Sequence, residues 1–436
     1  MEGLMAAVCV RWARVAIICS LIGCFGWVGE ASAQEPACPG VWAKLAPEEG
    51  WNRGFEVMGQ SRSFWLMLPK ASGPRPLLLA LHGTRETGEA FARRARLRDF
   101  VERGFIVVAP QAVGNGTVWP VWDAMRMPSE AAAPNRDLAF FDRLLACLGE
   151  HLEVDPRRRY VGGHSAGGMM TNAVLQRRSE VFAGGVVASG VMSLTAPATP
   201  APLSPLAVLV TWGGERDVWS GRVGSVKVSG FSFVEQAALA SSFYAAQPGV
   251  QHMRCSADAG HAWLWRLNGW MIDRLLAHPK GSAGSVEWGS PPAGVTCSRE
   301  AFAVPRVPEV ECGESPVAGC QAACQMMADC AAENGTLRHV WRPTLKALGL
   351  GDGSCGGCVE ACARVGAGEA DRAVLACVEA QGAAARCGPG IEGALPMVKA
   401  LNTCCAGRSG SGICRSACQA LSRSPSALRF FAVCRP

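Results

Sequence analysis

Hydrophobic and polar positions follow two alternating patterns between residues 38 and 290. Short apolar runs bounded by turn residues predict strands, whereas apolar positions spaced three or four residues apart predict helices. Strands are predicted at 63–68, 76–81, 105–109, 159–162, 184–189, 206–211 and 252–257. Helices are predicted at 86–103, 136–153, 167–178, 233–246 and 268–277.

This alternation predicts an α/β fold in which a mostly parallel sheet is covered by helices on both faces. The runs at 77–81 and 106–109 are apolar throughout, as central strands buried on both faces require. Residues that bind or react are therefore expected in the loops at the carboxyl ends of the strands.

The first 33 residues are predicted to be a signal peptide. Arg11 and Arg14 precede an apolar run, and Ala31-Ser32-Ala33 offers a cleavage site of small residues. The apolar run is short for a membrane-spanning helix, so no transmembrane span is expected. A secreted, extracellular protein is the favoured interpretation, and the alternative is a lipid anchor on Cys24.

The chain has 21 cysteines, of which the predicted signal peptide contains three. Of the other 18, four are spread over residues 38–297 and fourteen crowd into residues 312–434. Such density is typical of an oxidising compartment in which disulfides persist.

Length and composition predict a large domain with a single core at 38–290, a Gly- and Pro-rich linker at 291–311 and a cysteine-rich helical domain at 312–436. In the last domain three Cys-x3-Cys pairs, which begin at Cys320, Cys358 and Cys414, place cysteines one helical turn apart. We expect short helices held by about seven disulfides.

The function of residues 312–436 stays open between a substrate- or surface-binding accessory and a structural or protein-interacting module. Zinc binding at Cys355-x2-Cys358 is a minor alternative to disulfides. The net charge of +6 includes no long basic run, so nucleic acid is not an expected partner.

The sequence Gly163-His164-Ser165-Ala166-Gly167 lies between a predicted strand and a predicted helix. This G-x-S-x-G spacing is typical of a nucleophile elbow, where the serine sits on a strained turn and larger flanking residues would collide with neighbouring elements. The strand–turn–helix context distinguishes it from a chance match in a chain with 51 glycines. Ser165 is therefore the predicted nucleophile.

Two later strand ends offer a carboxylate and a base. The strand at 206–211 leads to Glu215 and Asp217, and we prefer Asp217 because the apolar residues after it can turn it back toward the site. The strand at 252–257 leads to His261, on a loop before a helix. Ser165, Asp217 and His261 then stand in the chain order of an α/β-hydrolase triad.

The strand at 76–81 ends in His82-Gly83-Thr84. We predict that the backbone N–H groups of Thr84 and Ala166 form an oxyanion hole, and that His82 braces this loop. Four tryptophans on loops at the same end either line a substrate cleft or belong to its rim and the core. They are Trp119, Trp122, Trp219 and Trp263.

Five motifs carry a family resemblance: Leu81-His82-Gly83, Phe105 to Gln111, Val154 to Arg158, Gly163 to Met170 and Gly260-His261-Ala262-Trp263. Over about residues 50–280 the chain resembles the secreted polyhydroxybutyrate depolymerase and feruloyl or acetyl-xylan esterase group of α/β-hydrolases. The resemblance implies an extracellular serine ester hydrolase, without cofactor or metal, acting on a polyester, feruloyl or acetyl ester, the substrate being polymeric in some members.

Two other classes of function stay open. A serine peptidase of the prolyl-oligopeptidase type has the same fold and triad order, and it would cleave a peptide but no ester. A non-catalytic binding protein on a hydrolase scaffold is the other alternative, against which the complete set of Ser165, Asp217 and His261 argues.

Overall fold

A computed structural model describes residues 38–113, 119, 135–192, 202–223, 226–282, 286–300, 312, 314–317, 319–333, 355–365, 368–381, 403–406, 411–412 and 414–415. The predicted signal peptide, Cys24 and residues 301–311 of the predicted linker lie outside the described residues. No helix among the described residues combines the length and the hydrophobicity that crossing a membrane requires.

The described residues form eleven strands. They are β1 (Gly50–Val57), β2 (Gln60–Met67), β3 (Arg75–Leu81), β4 (Ile106–Pro110), β5 (Val154–His164), β6 (Gly184–Ala188), β7 (Leu206–Trp212), β8 (Val218–Val223), β9 (Val226–Ser232), β10 (Val250–Ser256) and β11 (Thr296–Ser298).

Nine of these strands build one sheet in the order β1-β2-β4-β3-β5-β6-β7-β10-β11, and β8 pairs with β9 in a separate hairpin. The six strands from β4 to β10 in this order run parallel to one another. Strands β1 and β2 at one edge and β11 at the other are antiparallel to their neighbours. The predicted mostly parallel sheet is therefore confirmed.

Helices cover both faces of the sheet. They are α1 (Gly88–Arg94), α2 (Arg98–Glu102), α3 (Arg136–His151), α4 (Ala166–Arg177), α5 (Phe233–Ala245) and α6 (Asn268–Leu276). Alternate side chains of β3 show the two layers. Leu77, Leu79 and Leu81 belong to the apolar cluster that includes α3, α4 and α5, whereas Leu78 and Ala80 belong to the cluster that includes α1, α2 and α6.

The helix predicted at 86–103 is wrong as a single element, because the chain breaks it into α1 and α2. Arg96 has a φ of 51°, in the left-handed region that an α-helix does not tolerate. The break turns Leu97 inward, where it is fully buried. The other four predicted helices and the seven predicted strands are present, with ends displaced by a few residues.

Part of the predicted linker belongs to the sheet. Within the range 291–311, the residues Thr296–Ser298 form β11 and pair with β10. A disulfide between Cys255 and Cys297 joins the two strands directly. The sheet therefore extends past residue 290, and the boundary predicted there falls too early. A second disulfide, Cys38–Cys147, ties the segment before β1 to α3.

The described part of the cysteine-rich region is helical, as predicted, and consists of α7 (Cys320–Glu333), α8 (Cys355–Val365) and α9 (Glu369–Gln381). Two disulfides, Cys320–Cys362 and Cys324–Cys358, join the first two Cys-x3-Cys motifs to each other. Further disulfides are Cys377–Cys404 and Cys405–Cys414. The disulfide of Cys358 overturns the alternative of zinc at Cys355-x2-Cys358.

Buried His252 on β10 should make the free energy of unfolding depend on pH. Burial, followed by the charge of Arg254, lowers the pKa of His252 from 6.5 to about 4, against the opposing effect of a backbone hydrogen bond with Arg299. Below pH 6.5 the unfolded chain takes up a proton that the folded protein does not accept until about pH 4. The free energy of unfolding should therefore fall by about 3 kcal/mol as the pH drops through this window.

In His252→Gln this contribution is absent, so urea unfolding at the two ends of the window should show a pH dependence smaller by about 3 kcal/mol than in the wild type. An unchanged pH dependence in the variant would show that His252 is not neutral and buried in the native protein.

Candidate active site

The backbone around Ser165 has the geometry of a nucleophile elbow. Ser165 links β5 to α4 with φ 59° and ψ −119°, a conformation that side chains rarely adopt. Its N–H donates to the Ala188 carbonyl on β6 at 3.0 Å. A Cβ on Gly163 would lie 2.4 Å from the Gly167 carbonyl oxygen, and a Cβ on Gly167 only 1.9 Å from that of Leu81. Both glycines are therefore required by close approach, as the sequence predicts.

The Asp217 carboxylate is fully buried in the turn after β7 and has three hydrogen-bond donors. Its Oδ1 accepts from His261 Nδ1 at 2.7 Å. Its Oδ2 accepts from Ser189 Oγ at 2.6 Å and from the Gly213 N–H at 2.8 Å. Because the Nδ1 proton of His261 is engaged with the carboxylate, the neutral imidazole leaves its Nε2 unprotonated and able to accept a proton.

The loops that carry Asp217 and His261 are fastened to each other. The Gly213 carbonyl accepts hydrogen bonds from Ala259 and Gly260 at 3.1 and 2.9 Å. A Cβ on Gly213 would lie 1.6 Å from the Gly260 carbonyl oxygen, so only glycine allows this approach. Exposed Glu215, the rival of Asp217, takes no part in this contact.

Two aromatic rings contact the imidazole of His261. Phe233 stacks on it with ring centroids 4.3 Å apart and an interplanar angle of 20°. His164 lies 4.6 Å from it at an angle of 40°. Because His164 directly precedes Ser165 in the elbow, this second contact brings the segment of the predicted nucleophile beside the predicted base, His261. The Phe233 N–H also donates to the Asp217 carbonyl at 2.9 Å, which fixes the start of α5 to the acid loop.

The loop after β3 lies against the elbow. A Cβ on Gly83 would be 3.6 Å from the Ser165 Cβ, so the Gly83-Thr84 backbone borders the serine. Thr84 is exposed. Ala166 is the first residue of α4, and an N–H in the first helical turn has no carbonyl partner within the helix. Ala166 therefore directly follows Ser165, and Thr84 directly follows the glycine that approaches the Ser165 side chain.

His82 braces this loop, as the sequence predicts. Its Nε2 accepts from the Ala112 N–H at 3.1 Å, and its Nδ1 is 2.7 Å from the Gly83 carbonyl oxygen. Since Nε2 accepts, the proton is on Nδ1 and is donated to Gly83. Burial lowers the pKa of His82, so the ring stays neutral in this role. Trp119 packs at a tilt of 41° against the same ring and donates to the His82 carbonyl at 2.7 Å.

Two of the four loop tryptophans are core residues. Trp119 and Trp263 are 0% and 3% exposed. Trp219 is half-buried on β8, and Trp122 lies outside the described residues. The cleft interpretation therefore does not hold for Trp119 or Trp263.

Sequence reasoning missed Ser189 and Phe233. Ser189 directly follows the apolar strand β6, so the rule that searches the carboxyl ends of strands points to it. Phe233 gave no such signal, because its position depends on the β8–β9 hairpin, which the pattern did not predict.

One cluster of metal-ligand types occurs among the described residues, at Cys38, Cys147 and His151. Cys38 and Cys147 are bonded to each other, so neither offers the thiolate that a metal needs. This cluster is therefore a disulfide with a neighbouring histidine.

The profile of the prolyl oligopeptidase family matches residues 92–214. An oxidized polyvinyl alcohol hydrolase from a Pseudomonas species is 30% identical over 321 residues, which cover 60% of this chain and 84% of that protein. Acetylxylan esterase A from Talaromyces purpureogenus is 26% identical over 185 residues, 39% of this chain and 48% of that enzyme.

Among solved structures, native pOPH is 27% identical and superposes with a TM-score of 0.52, covering 61% of this chain and 97% of that one. The sheet order, the elbow and these similarities agree on an α/β-hydrolase fold. The named relatives are hydrolases and esterases, and this chain is a hydrolytic enzyme of the same kind.

The close approach at Gly167 can be tested with a matched helical glycine. Gly167→Ala should lower the free energy of unfolding by about 3 kcal/mol, because the new Cβ collides with a backbone carbonyl that cannot move without distorting β3. Urea unfolding followed by circular dichroism measures the change.

The matched control is Gly269 in α6, where an added Cβ would have no heavy atom within 4 Å. Gly269→Ala should therefore leave stability unchanged or raise it by up to about 1 kcal/mol. Equal stability of the two variants would contradict the packing described for the elbow.

Proposed function

Because the chain belongs to the α/β-hydrolase family that includes the oxidized polyvinyl alcohol hydrolases, we propose that it is an extracellular serine hydrolase of carboxylic esters. In this proposal Ser165 is the nucleophile, His261 the general base and Asp217 the carboxylate that orients the base. The observation that carries the proposal is the 2.7 Å hydrogen bond between His261 Nδ1 and the buried Asp217, beside the strained elbow of Ser165.

The proposed reaction has two acyl-transfer steps. His261 Nε2 takes the Ser165 hydroxyl proton while Ser165 Oγ attacks the ester carbonyl, and the same proton passes to the departing alcohol. Water, deprotonated by His261, then attacks the acyl-enzyme, and His261 returns that proton to Ser165 Oγ as the carboxylic acid leaves. Asp217 stabilises the imidazolium that forms in each step.

The backbone N–H groups of Thr84 and Ala166 are the proposed oxyanion donors. A hydrogen bond from each to the carbonyl oxygen would strengthen as negative charge develops there, and one such donor contributes about 3–4 kcal/mol of transition-state stabilisation. The close approach of the Gly83 backbone to the Ser165 side chain, where a Cβ added to Gly83 would lie 3.6 Å from the Ser165 Cβ, supports this assignment for the Thr84 loop.

Export from the cytoplasm is supported by the six disulfides of the described residues, since such bonds persist in oxidising compartments. They occur in both the sheet-containing part and the cysteine-rich region, so the described residues of both parts are suited to such an environment. The two proposed forms, secreted and anchored through Cys24, share this requirement.

The similarity to an oxidized polyvinyl alcohol hydrolase favours a second acyl substrate, a 1,3-diketone of an oxidised polymer. Ser165 would add to one ketone, and the bond to the carbon between the two ketones would break. The electron pair would be held as an enolate by the second ketone and would take the proton from His261, which leaves a methylene end as methyl. Water would then release the other half as a carboxylic acid, so the triad needs no new group.

The proposal is tested with Ser165→Ala on a substrate panel. The panel contains 4-nitrophenyl acetate, a feruloyl ester, acetylated xylan, hydroxybutyrate oligomers, a 1,3-diketone oligomer and a prolyl peptide. Wild type should hydrolyse the nitrophenyl ester and at least one polymer-derived acyl substrate. Ser165→Ala should lose at least about 1,000-fold in kcat on each of them, because the attacking oxygen is gone.

Retained circular dichroism and unfolding free energy in the variant would establish that the loss is chemical. Undiminished turnover by Ser165→Ala would overturn the assignment of the nucleophile. Turnover of the peptide alone would favour the peptidase alternative. The match of the prolyl oligopeptidase profile to residues 92–214 is consistent with that alternative. Wild type that is inert on the whole panel would favour a binding protein.

A further inference from the structure

Outside the proposed triad, the ion pair of Arg94 and Glu86 joins two parts of the site. One is the loop after β3 that carries Gly83 and Thr84, here called the oxyanion loop, and the other is the elbow. Arg94, the last residue of α1, donates from Nε to Glu86 Oε1 at 2.8 Å and from Nη2 to Glu86 Oε2 at 3.0 Å. Glu86 Oε2 also accepts the Gly83 N–H at 3.1 Å. The same Arg94 Nη2 lies 3.3 Å from His164 Nδ1. One guanidinium therefore contacts both the carboxylate that holds Gly83 and the residue that precedes Ser165.

The contact with Arg94 defines the protonation of His164. A guanidinium only donates, so His164 Nδ1 accepts and the ring proton is on Nε2. That Nε2 is buried and has no hydrogen-bond partner among the described residues. An unsatisfied buried polar group destabilises the folded protein, so packing alone is a poor reason for a histidine at this position.

His164 is also held neutral. Burial, then the positions of His261 and Arg94, place the pKa of His164 well below its usual value. The charged and titratable groups that face it are His261 on one side and Arg94, paired with Glu86, on the other. A neutral ring beside His261 adds no second positive charge when His261 takes up a proton.

We propose that Glu86 and Arg94 are positioning residues of the hydrolase, which fix the Gly83 backbone of the oxyanion loop and the ring of His164 against His261. The catalytic role of these residues rests on the proposed function, whereas the contacts among Glu86, Arg94 and His164 do not depend on it. The fork of Arg94 is needed because one cation must reach both carboxylate oxygens and an imidazole nitrogen, which a lysine ammonium does not span.

The expected effect is on the rate and not on stability. The Arg94 and Glu86 side chains are 41% and 16% exposed, and ion pairs open to solvent contribute little to the free energy of unfolding. A small displacement of the oxyanion loop or of the base has a large kinetic effect, because the reacting groups must be aligned closely.

The test replaces Arg94 by methionine and uses its neighbour as the control. Arg94→Met should lower kcat on 4-nitrophenyl acetate by about 10- to 100-fold with KM changed less than about 3-fold. Arg93 forms an ion pair with Glu89 on the same helix, and its side chain is 77% exposed. Arg93→Met removes an equivalent charge without touching the elbow, so it should keep the wild-type kcat.

Nitrogen-15 NMR of the imidazole rings supplies a readout that does not depend on turnover. In wild type the His164 signals should be those of a neutral ring protonated on Nε2. Arg94→Met should shift them, and those of His261, whereas Arg93→Met should not. If Arg94→Met does not fold, Glu86→Gln, which preserves the shape of the side chain but not its charge, is measured in the same way with the same expectation.

A kcat within twofold of wild type together with unmoved ring signals in Arg94→Met would overturn the inference, and so would an equal loss of kcat in Arg93→Met. A wild type that hydrolyses no acyl substrate would overturn the proposed function instead. In that case the ring signals would still decide whether Arg94 positions His164.

Discussion

The buried carboxylate of Asp217 is the constraint on which the rest of the site depends. A charge without solvent is tolerated only when hydrogen bonds replace its water, and here three donors do so. They are Ser189, Gly213 and His261, and they come from the ends of β6, β7 and β10, which are neighbours in the sheet. The strand order therefore brings the three donors together around Asp217. The hydrogen bond with this carboxylate in turn fixes the orientation of the His261 imidazole.

Close backbone approach is the second constraint, and it explains where the chain needs glycine. Gly163 and Gly167 let the elbow pack against β3, and Gly213 lets the loop of Asp217 contact the loop of His261 at Gly260. None of these contacts leaves room for a side chain. The strained Ser165 is thus held by packing on both sides of the turn, which is how an unfavourable backbone conformation persists in a stable fold.

The sequence predicted the parallel sheet and the pairing of Asp217 with a histidine loop because both follow from local patterns and strand-end rules. It did not predict β1, whose glycines at 50 and 54 interrupt the alternation, or the β8–β9 hairpin. The contacts of Ser189, Phe233 and Arg94 could not be predicted from the sequence either, because each joins residues far apart in the chain. Disulfide pairing was equally inaccessible, because spacing within a Cys-x3-Cys pair does not identify the distant partner.

The most direct test of the central claim compares the two carboxylates of the acid loop by their turnover of 4-nitrophenyl acetate. Asp217→Asn should preserve the fold but lower kcat by about 10,000-fold, because an amide in this place favours the wrong imidazole tautomer. Exposed Glu215→Gln should keep the wild-type rate. Near-wild-type turnover by Asp217→Asn, or its loss in Glu215→Gln, would contradict the assignment of Asp217 as the residue that orients His261.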